Sequence, residues 1–332
     1  MSVEPDVAST SPPDTAAATD GPTQARPHGR RRSRRHGRRL DLGVAFAMPG
    51  TLWLLAFFIA PLYVVLAVVF GHVDPVFRTA APEWDPRYWD PAQFTYVLRH
   101  IVGPEGIFGP ALLRTLVYVA VASVVCVFVA LPIAYFVARL AGRWRGPLLA
   151  LLIAPFWISY MMRMLAWVNL LAVDGLVNKV LSLGGLLPTH IDWLSGRAFV
   201  VILGLVYGYV PYMVVPLVAG LSRLPDLAIE AARDLGASRT DAFFRVTLPM
   251  TRPIIIASLL LTSLPMLGDY FTNDLLSGSP RTSMVGNLIN ETVLTPGQTG
   301  QAGAFVLLVL LVCLLPMLYY IRSVSRSDGF AM

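Results

Sequence analysis

Long apolar runs alternate with short polar segments along this chain, and the runs are too long for strands and too uniformly apolar for the one-faced helices of a soluble protein. A helix that crosses a hydrocarbon core of about 30 Å needs about 20 mostly apolar residues. Six stretches qualify, roughly Leu42 to Gly71, Ala111 to Ala138, Pro147 to Val173, Phe199 to Leu221, Pro253 to Leu275 and Ala304 to Ile321. Prolines inside them (Pro132, Pro155, Pro211, Pro216, Pro265 and Pro316) predict bends, and the pair Gly204 and Gly208 predicts a close approach of two backbones. The first run follows an Arg-rich stretch from Arg30 to Arg39, as a secretory signal would. That run is too long for a signal, and the small-residue triplet Ala45-Phe46-Ala47 precedes it rather than following it, so an uncleaved span is expected.

Composition agrees with a membrane protein: of 332 residues, 55% are hydrophobic and only 14% charged, against about 25% charged in a soluble domain. Basic residues near span ends stay cytoplasmic. Eight Arg lie in the N-terminal tail, Arg139, Arg143 and Arg145 after the second run, five more after the fourth, and Arg322 and Arg326 at the end. Six spans with both termini in the cytoplasm follow. Residues 1–41 are rich in Ala, Pro, Thr, Asp and Arg and should be disordered, and residues 323–332 form a second cytoplasmic tail. Beside a span, the arginine run reads as an orientation signal drawn to anionic lipid rather than as a nucleic-acid site. The loop from His72 to Pro110 carries Trp84, Tyr88 and Trp89 and reads as an interfacial aromatic belt.

Several chemistries are excluded. A phosphate-binding P-loop ends in Gly-Lys followed by Ser or Thr, whereas the one lysine, Lys179, precedes Val180, so this chain cannot bind ATP in that manner. Cys126 and Cys313 lie in apolar runs without metal or redox spacing, and no Gly-x-Ser-x-Gly or His-Glu-x-x-His arrangement occurs. No metal site, cofactor or enzymatic activity is expected.

The inner segment 222–252 is long and patterned. Asp226 can cap a short helix that places Leu227, Ala231 and Leu235 on one face, with Gly236 to end it in a left-handed turn. Ser238 to Asp241 reads as a capping box for a second short helix with Phe243 and Val246 on its apolar side. The strip of Ala231 and Ala232, flanked by Glu230, Arg233 and Asp234, suits a groove in another protein. Glu230-Ala231-Ala232, then Gly236, then Val246, Leu248 and Pro249 match the spacing of the coupling loop of permease subunits of ATP-binding-cassette importers, with Val246 in place of the usual Ile. Pro155 to Tyr160 with Arg163, Glu230 to Ser238, and Leu264 to Gly268 through Asp274 to Gly286-Asn287 resemble the spermidine/putrescine permeases of that superfamily. The similarity runs from about Phe94 to Arg322.

The resemblance implies an all-α polytopic membrane domain over 42–322, a six-helix type I, MetI-like bundle in a bacterial plasma membrane. It implies a second homologous permease, two ATPase subunits that supply the ATP chemistry, an extracytoplasmic binding protein, and docking of Glu230 to Pro249 into the ATPase. Candidate contacts to a polycationic cargo are Asp269, Tyr270, Asn273 and Asp274 in the fifth run and Trp157 and Tyr160 in the third. Carboxylates replace lost hydration and aromatic faces hold cations. On a continuous helix Asp269 would share a face with Asn273, and Tyr270 with Asp274. The two acids read equally as caps of a helix that ends before Gly278. Arg163 would repel a cation, and pairing with Asp269 or Asp274 is the expected structural role. Another cargo (ferric iron, sulfate, opines) and an autonomous secondary transporter or channel are the competing readings.

Overall fold

A computed structural model describes residues 42–102, 106–184 and 191–328. The expected disordered tail at 1–41 lies outside these, as do the last four residues of the expected C-terminal tail. The chain divides into two units, 1–56 and 57–332. The first contributes the beginning of helix α1 (Leu42–Val69), where the Thr51 hydroxyl donates to the Ala47 carbonyl at 2.9 Å. The packing that follows is that of the second.

Among the described residues six helical segments are long and apolar enough to cross a membrane: Ala47–Val69, Phe108–Leu140, Tyr160–Leu183, Ala198–Leu221, Arg239–Leu267 and Thr299–Arg322. The number agrees with the sequence; the limits of the third and fifth do not. A short hairpin, β1 (His72–Val73) against β2 (Ala80–Ala81), follows α1. In its turn the amides of Val76 and Phe77 donate to the Asp74 carboxylate, at 2.8 and 3.0 Å, and hold it below the usual carboxylate range. Next come α2 (Ala92–Val102) and α3 (Phe108–Tyr135). Trp84 and Tyr88 are exposed as a belt requires, but Trp89 stacks on Phe70 at 5.0 Å and donates from Nε1 to the Glu83 carbonyl.

α3 contains Pro132, which lacks the amide that would bond one turn back, and soon afterwards the helix widens into a π turn at Phe136–Leu140. The third run is not one helix. It forms α4 (Arg145–Ile153), a 3-10 turn at Ala154–Trp157 around Pro155, an extended Ser159, then α5 (Tyr160–Leu171) and α6 (Leu176–Leu183). α7 (Ala198–Leu221) is continuous through Pro211 and Pro216. After it come α8 (Asp226–Asp234), α9 (Arg239–Ala242), a π turn at Phe243–Thr247 and α10 (Leu248–Leu267). The expected second short helix is therefore the beginning of the fifth span. α11 (Phe271–Leu276), α12 (Val285–Leu294) and α13 (Thr299–Asp328) complete the chain, so residues 323–328 continue a helix rather than starting a tail.

The largest core joins α3, α7 and α10. Ala122, Cys126, Ala130 and Ala134 of α3 give α7 close access, and Leu205, Met213 and Leu217 fill the seam with Met266 of α10. Small residues at a helix seam are how helices associate in lipid, where burial of apolar surface no longer discriminates between lipid and protein. Phe128 and Leu151, 75% and 70% exposed, are apolar side chains of the outer surface that lipid would solvate. A second cluster joins Val97 of α2, Phe108 of α3, Val285 of α12 and Phe305 of α13, and a third joins Met164 of α5, Val200 of α7 and Leu276 of α11.

Candidate functional site

The candidate cargo residues converge on a break in the fifth span. α10 stops at Leu267 with Gly268 as its cap, and Asp269 and Tyr270 stand in the gap before α11. The face-sharing expected of a continuous helix is thereby overturned: α11 carries Asn273 and Asp274 but neither Asp269 nor Tyr270. Pro265 in the last turn of α10 explains the stop, and one of the carbonyls left over at a helix end, that of Pro265, accepts from the Tyr209 hydroxyl at 3.3 Å.

Asp269 is buried, 6% exposed. Its Oδ2 accepts from the hydroxyls of Tyr160 and Thr272, both at 2.6 Å, and its Oδ1 accepts from the Thr272 amide at 3.1 Å. Asp269 thus ties the first turn of α11 to α5, with two hydroxyls on Oδ2 and one amide on Oδ1. Tyr160 reaches it because α7 carries glycine opposite: a Cβ at Gly208 would lie 2.8 Å from Tyr160 Cε2. One turn earlier, a Cβ at Gly204 would run into Thr272 and Leu276. The glycine pair thus admits side chains of α5 and α11 rather than another backbone.

Arg163 forms no ion pair with either aspartate; the two ion pairs among the described residues lie elsewhere. Its guanidinium sits 5.2 Å from the Phe156 ring centre and 5.3 Å from that of Tyr160, with Nε buried and unpartnered. The reason is the break at Pro155, which folds Phe156 back over α5, where it also meets Tyr212 edge-on at 4.6 Å. Arg163 thus lies over the same Tyr160 ring whose hydroxyl binds Asp269. Trp157 is 89% exposed and takes no part in this cluster.

Asp274 faces outward. It lines a cavity of about 470 Å³ with Asn273, Asn287, Glu291 and Arg114. Asn287 uses its full hydrogen-bonding capacity here: Nδ2 donates to Asp274 Oδ1 at 2.5 Å and to the Tyr270 carbonyl at 3.0 Å, while Oδ1 accepts from the Met284 amide and from Asn273 Nδ2. Asn273 is 2% exposed and its Oδ1 has no partner. Arg114 Nη1 donates to the carbonyls of Pro280 and Ser283 and pins the loop beside the cavity to α3. Gly286 closes α12 onto the break, since a Cβ there would lie 2.8 Å from the Gly268 carbonyl oxygen. Tyr270 stacks on Phe271 at 4.1 Å. Sequence reasoning missed Thr272, Tyr209, Arg114 and Glu291. Thr272 carries the one usable signal, a hydroxyl three residues after an acid, the spacing of a cap.

At the other end of α3 lies the patterned loop. The cap of α8 is Pro225, not Asp226, which is the first helical residue and forms an ion pair with Arg139. Ser238 does cap α9, accepting from the Asp241 amide at 3.1 Å, and Gly236 has φ of +90° as a left-handed stop requires. α8 buries no residue. Leu227 and Leu235, 77% and 91% exposed, stand out on the same face as Ala231, beside Glu230. Ala228, Ile229 and Ala232 are the residues that turn inward. Val246 is half-buried in the π turn, and Leu248 and Pro249 open α10, where proline is accommodated because the first amides of a helix have no helical partner.

Residues 115–326 match the family described as binding-protein-dependent transport system inner membrane component. The chain is 32% identical over 269 residues to the spermidine/putrescine transport system permease protein PotB of Haemophilus influenzae, covering 81% of this chain and 89% of that one. It is 34% identical over 219 residues to PotB of Escherichia coli, covering 66% and 79%. An inner membrane ABC transporter permease protein of Escherichia coli, YdcU, is 30% identical over 245 residues, covering 68% and 75%. Among solved structures, a bacterial ABC transporter involved in the import of the acidic polysaccharide alginate shares the fold, with a TM-score of 0.64 over 86% of this chain and 95% of that one at 18% identity.

Proposed function

Because this chain belongs to the family of inner membrane components of binding-protein-dependent transport systems, we propose that it is the permease subunit of an ATP-driven importer of spermidine and putrescine. The observation that carries the coupling half of this reading is α8. A helix that buries none of its own residues and presents Leu227, Ala231 and Leu235 to solvent is a surface awaiting a partner. With no P-loop in the chain, that partner is the ATPase. The arginine distribution supports placing α8 and both termini in the cytoplasm.

A second permease of the same fold encloses the path with this one, two ATPase subunits close beneath them, and a binding protein delivers cargo at the α12 end. The relatives' names and the cavity chemistry support a polyamine. Asp274 and Glu291 line one cavity, a pair of carboxylates suited to an ammonium group, while Arg114 in the same lining is engaged by the carbonyls of Pro280 and Ser283. Asp269, buried and already holding three protein donors, is a structural pin rather than a cargo ligand.

The test is uptake of labelled putrescine and spermidine by a strain lacking this chain, with and without its return. Restored uptake that depends on the partner ATPase is expected. Unchanged polyamine uptake in the deletion strain overturns the cargo, and uptake that survives loss of the ATPase overturns the class.

A further inference from the structure

We infer that Arg139 is a positioning residue that carries the movement of the ATPase-docking helix into the core of the bundle. The inference rests on the permease reading above, and it concerns how force reaches the membrane rather than what is moved. α8 buries no residue, so it has little packing of its own through which a push could be transmitted. Beyond the half-buried Ala228, Ile229 and Ala232, it is gripped at its start by a side chain from 87 residues earlier. Arg139 lies in the π turn that ends α3, with its side chain only 12% exposed. Nη2 donates to the Leu224 carbonyl at 2.8 Å and Nη1 to the Asp226 carboxylate. Leu224 and Asp226 flank Pro225, the cap of α8, so one guanidinium grips both sides of the point where the docking helix begins. The planar fork of arginine can make two such bonds at once, which an ammonium cannot.

The same end of α3 also holds the chain that leaves α8. The Tyr135 ring meets Phe243 edge-on at 5.0 Å, in the π turn that leads into α10. Both connections of α8 therefore bear on one turn of α3, and α3 is the helix most intimately seated against α7 through Ala122, Cys126, Ala130 and Ala134. A displacement of α8 is handed to α3, and by α3 to α7 and to the Tyr160–Asp269 knot beyond it. The grip is asymmetric: Asp226 is 76% exposed, whereas Arg139 Nε is buried with no partner. The arginine is held by the bundle and the aspartate belongs to the moving part.

The test uses the complete importer in lipid nanodiscs or proteoliposomes and measures cargo moved per ATP hydrolysed. Arg139→Ala is expected to leave ATP hydrolysis within about twofold of wild type and to lower cargo per ATP at least about tenfold. Arg139→Lys, which keeps the charge without the fork, should fall between. Asp226→Ala, on an exposed residue that leaves the fold intact, removes one of the two bonds and should lower the ratio about threefold. A second readout does not involve cargo: amide hydrogen exchange of α8 in this chain alone should quicken at least about tenfold in Arg139→Ala and Asp226→Ala, with α10 unchanged. An unaltered cargo-to-ATP ratio in Arg139→Ala, or unaltered exchange in α8, overturns the inference. Failure of the permease reading shows elsewhere, as a wild-type complex that moves no cargo with ATP, and the exchange measurement still decides the role of Arg139 in that case.

Discussion

Gly208→Ala tests the claim that glycine in α7 exists to let Tyr160 reach Asp269. The added Cβ would lie 2.8 Å from Tyr160 Cε2 and 2.9 Å from its hydroxyl oxygen, whereas carbon atoms rest at about 3.5–4.0 Å. The ring must therefore withdraw by ~0.7–1.2 Å. The hydroxyl now bonds Asp269 Oδ2 at 2.6 Å and lies 2.5 Å from Thr272 Oγ1, so a shift of that size breaks or badly stretches both contacts. Overpacking costs about 1–3 kcal/mol, and weakening a hydrogen bond to a charged group about 1.5–3 kcal/mol. The two overlap, because the ring that moves to relieve the clash is the ring that loses the bond. The better helix propensity of alanine returns about 1 kcal/mol. A net loss of about 2–3 kcal/mol follows, read as a lower stability of the full chain against denaturing detergent in mixed micelles. The decisive comparison is the same substitution in a Tyr160→Ala background, where the space is already open and Gly208→Ala should be neutral or slightly stabilising. Equal losses in the two backgrounds would refute the reasoning, since the glycine would then matter for something other than Tyr160.

Three further outcomes follow from the site. Asp269→Ala strips the acceptor from two hydroxyls and an amide and should destabilise the fold by at least about 3 kcal/mol, at about 1–3 kcal/mol for each of the three buried groups left unpaired; Asp274→Asn, at an exposed position, should leave stability within about 0.5 kcal/mol and raise the apparent KM for polyamine uptake. Gly236→Ala places a side chain at φ of +90° and should loosen the end of α8 by about 1–2 kcal/mol, seen as faster amide exchange over residues 233–237. Leu235→Arg, at a residue 91% exposed, should leave the unfolding of this chain unchanged and abolish co-purification of the ATPase; retained co-purification would remove α8 as the docking surface.

The sequence made the spans countable because a membrane-crossing helix needs only length and apolarity, both of which are local. It also displayed the end of α8 and the start of α9, whose signals, Gly236 and the capping pair Ser238 and Asp241, act within one turn. What stayed hidden depends on partners distant in the chain. Pro155 and Pro265 were legible as bends, but whether a proline bends or breaks a membrane helix is decided by who satisfies the freed carbonyls. Where α10 stops, the carbonyl of Pro265 itself, left over at the helix end, is taken by Tyr209, 56 residues away. At Pro211 and Pro216, α7 passes through unbroken. The ion pair expected of Arg163 failed for the same reason: charge alone nominates an aspartate, but the break at Pro155 brings Phe156 nearer. Asp226 has the chemistry of a cap and sits one position too late to be one, because Pro225 takes that place and the arginine that claims the carboxylate lies in another helix.

The two π turns, at Phe136–Leu140 and Phe243–Thr247, make one end of the bundle permissive of changes in chain length. A π turn carries one residue more than an α turn, so everything beyond it is rotated by about 100° relative to an unbroken helix. Deleting a single residue within either turn would restore ordinary helical spacing and leave the membrane-embedded face of that helix in register. The same deletion in the middle of α3 or α7 would swing a whole seam of small residues away from its neighbour. Single-residue insertions and deletions among relatives should therefore gather at these two turns, where they leave the helix seams on either side in place.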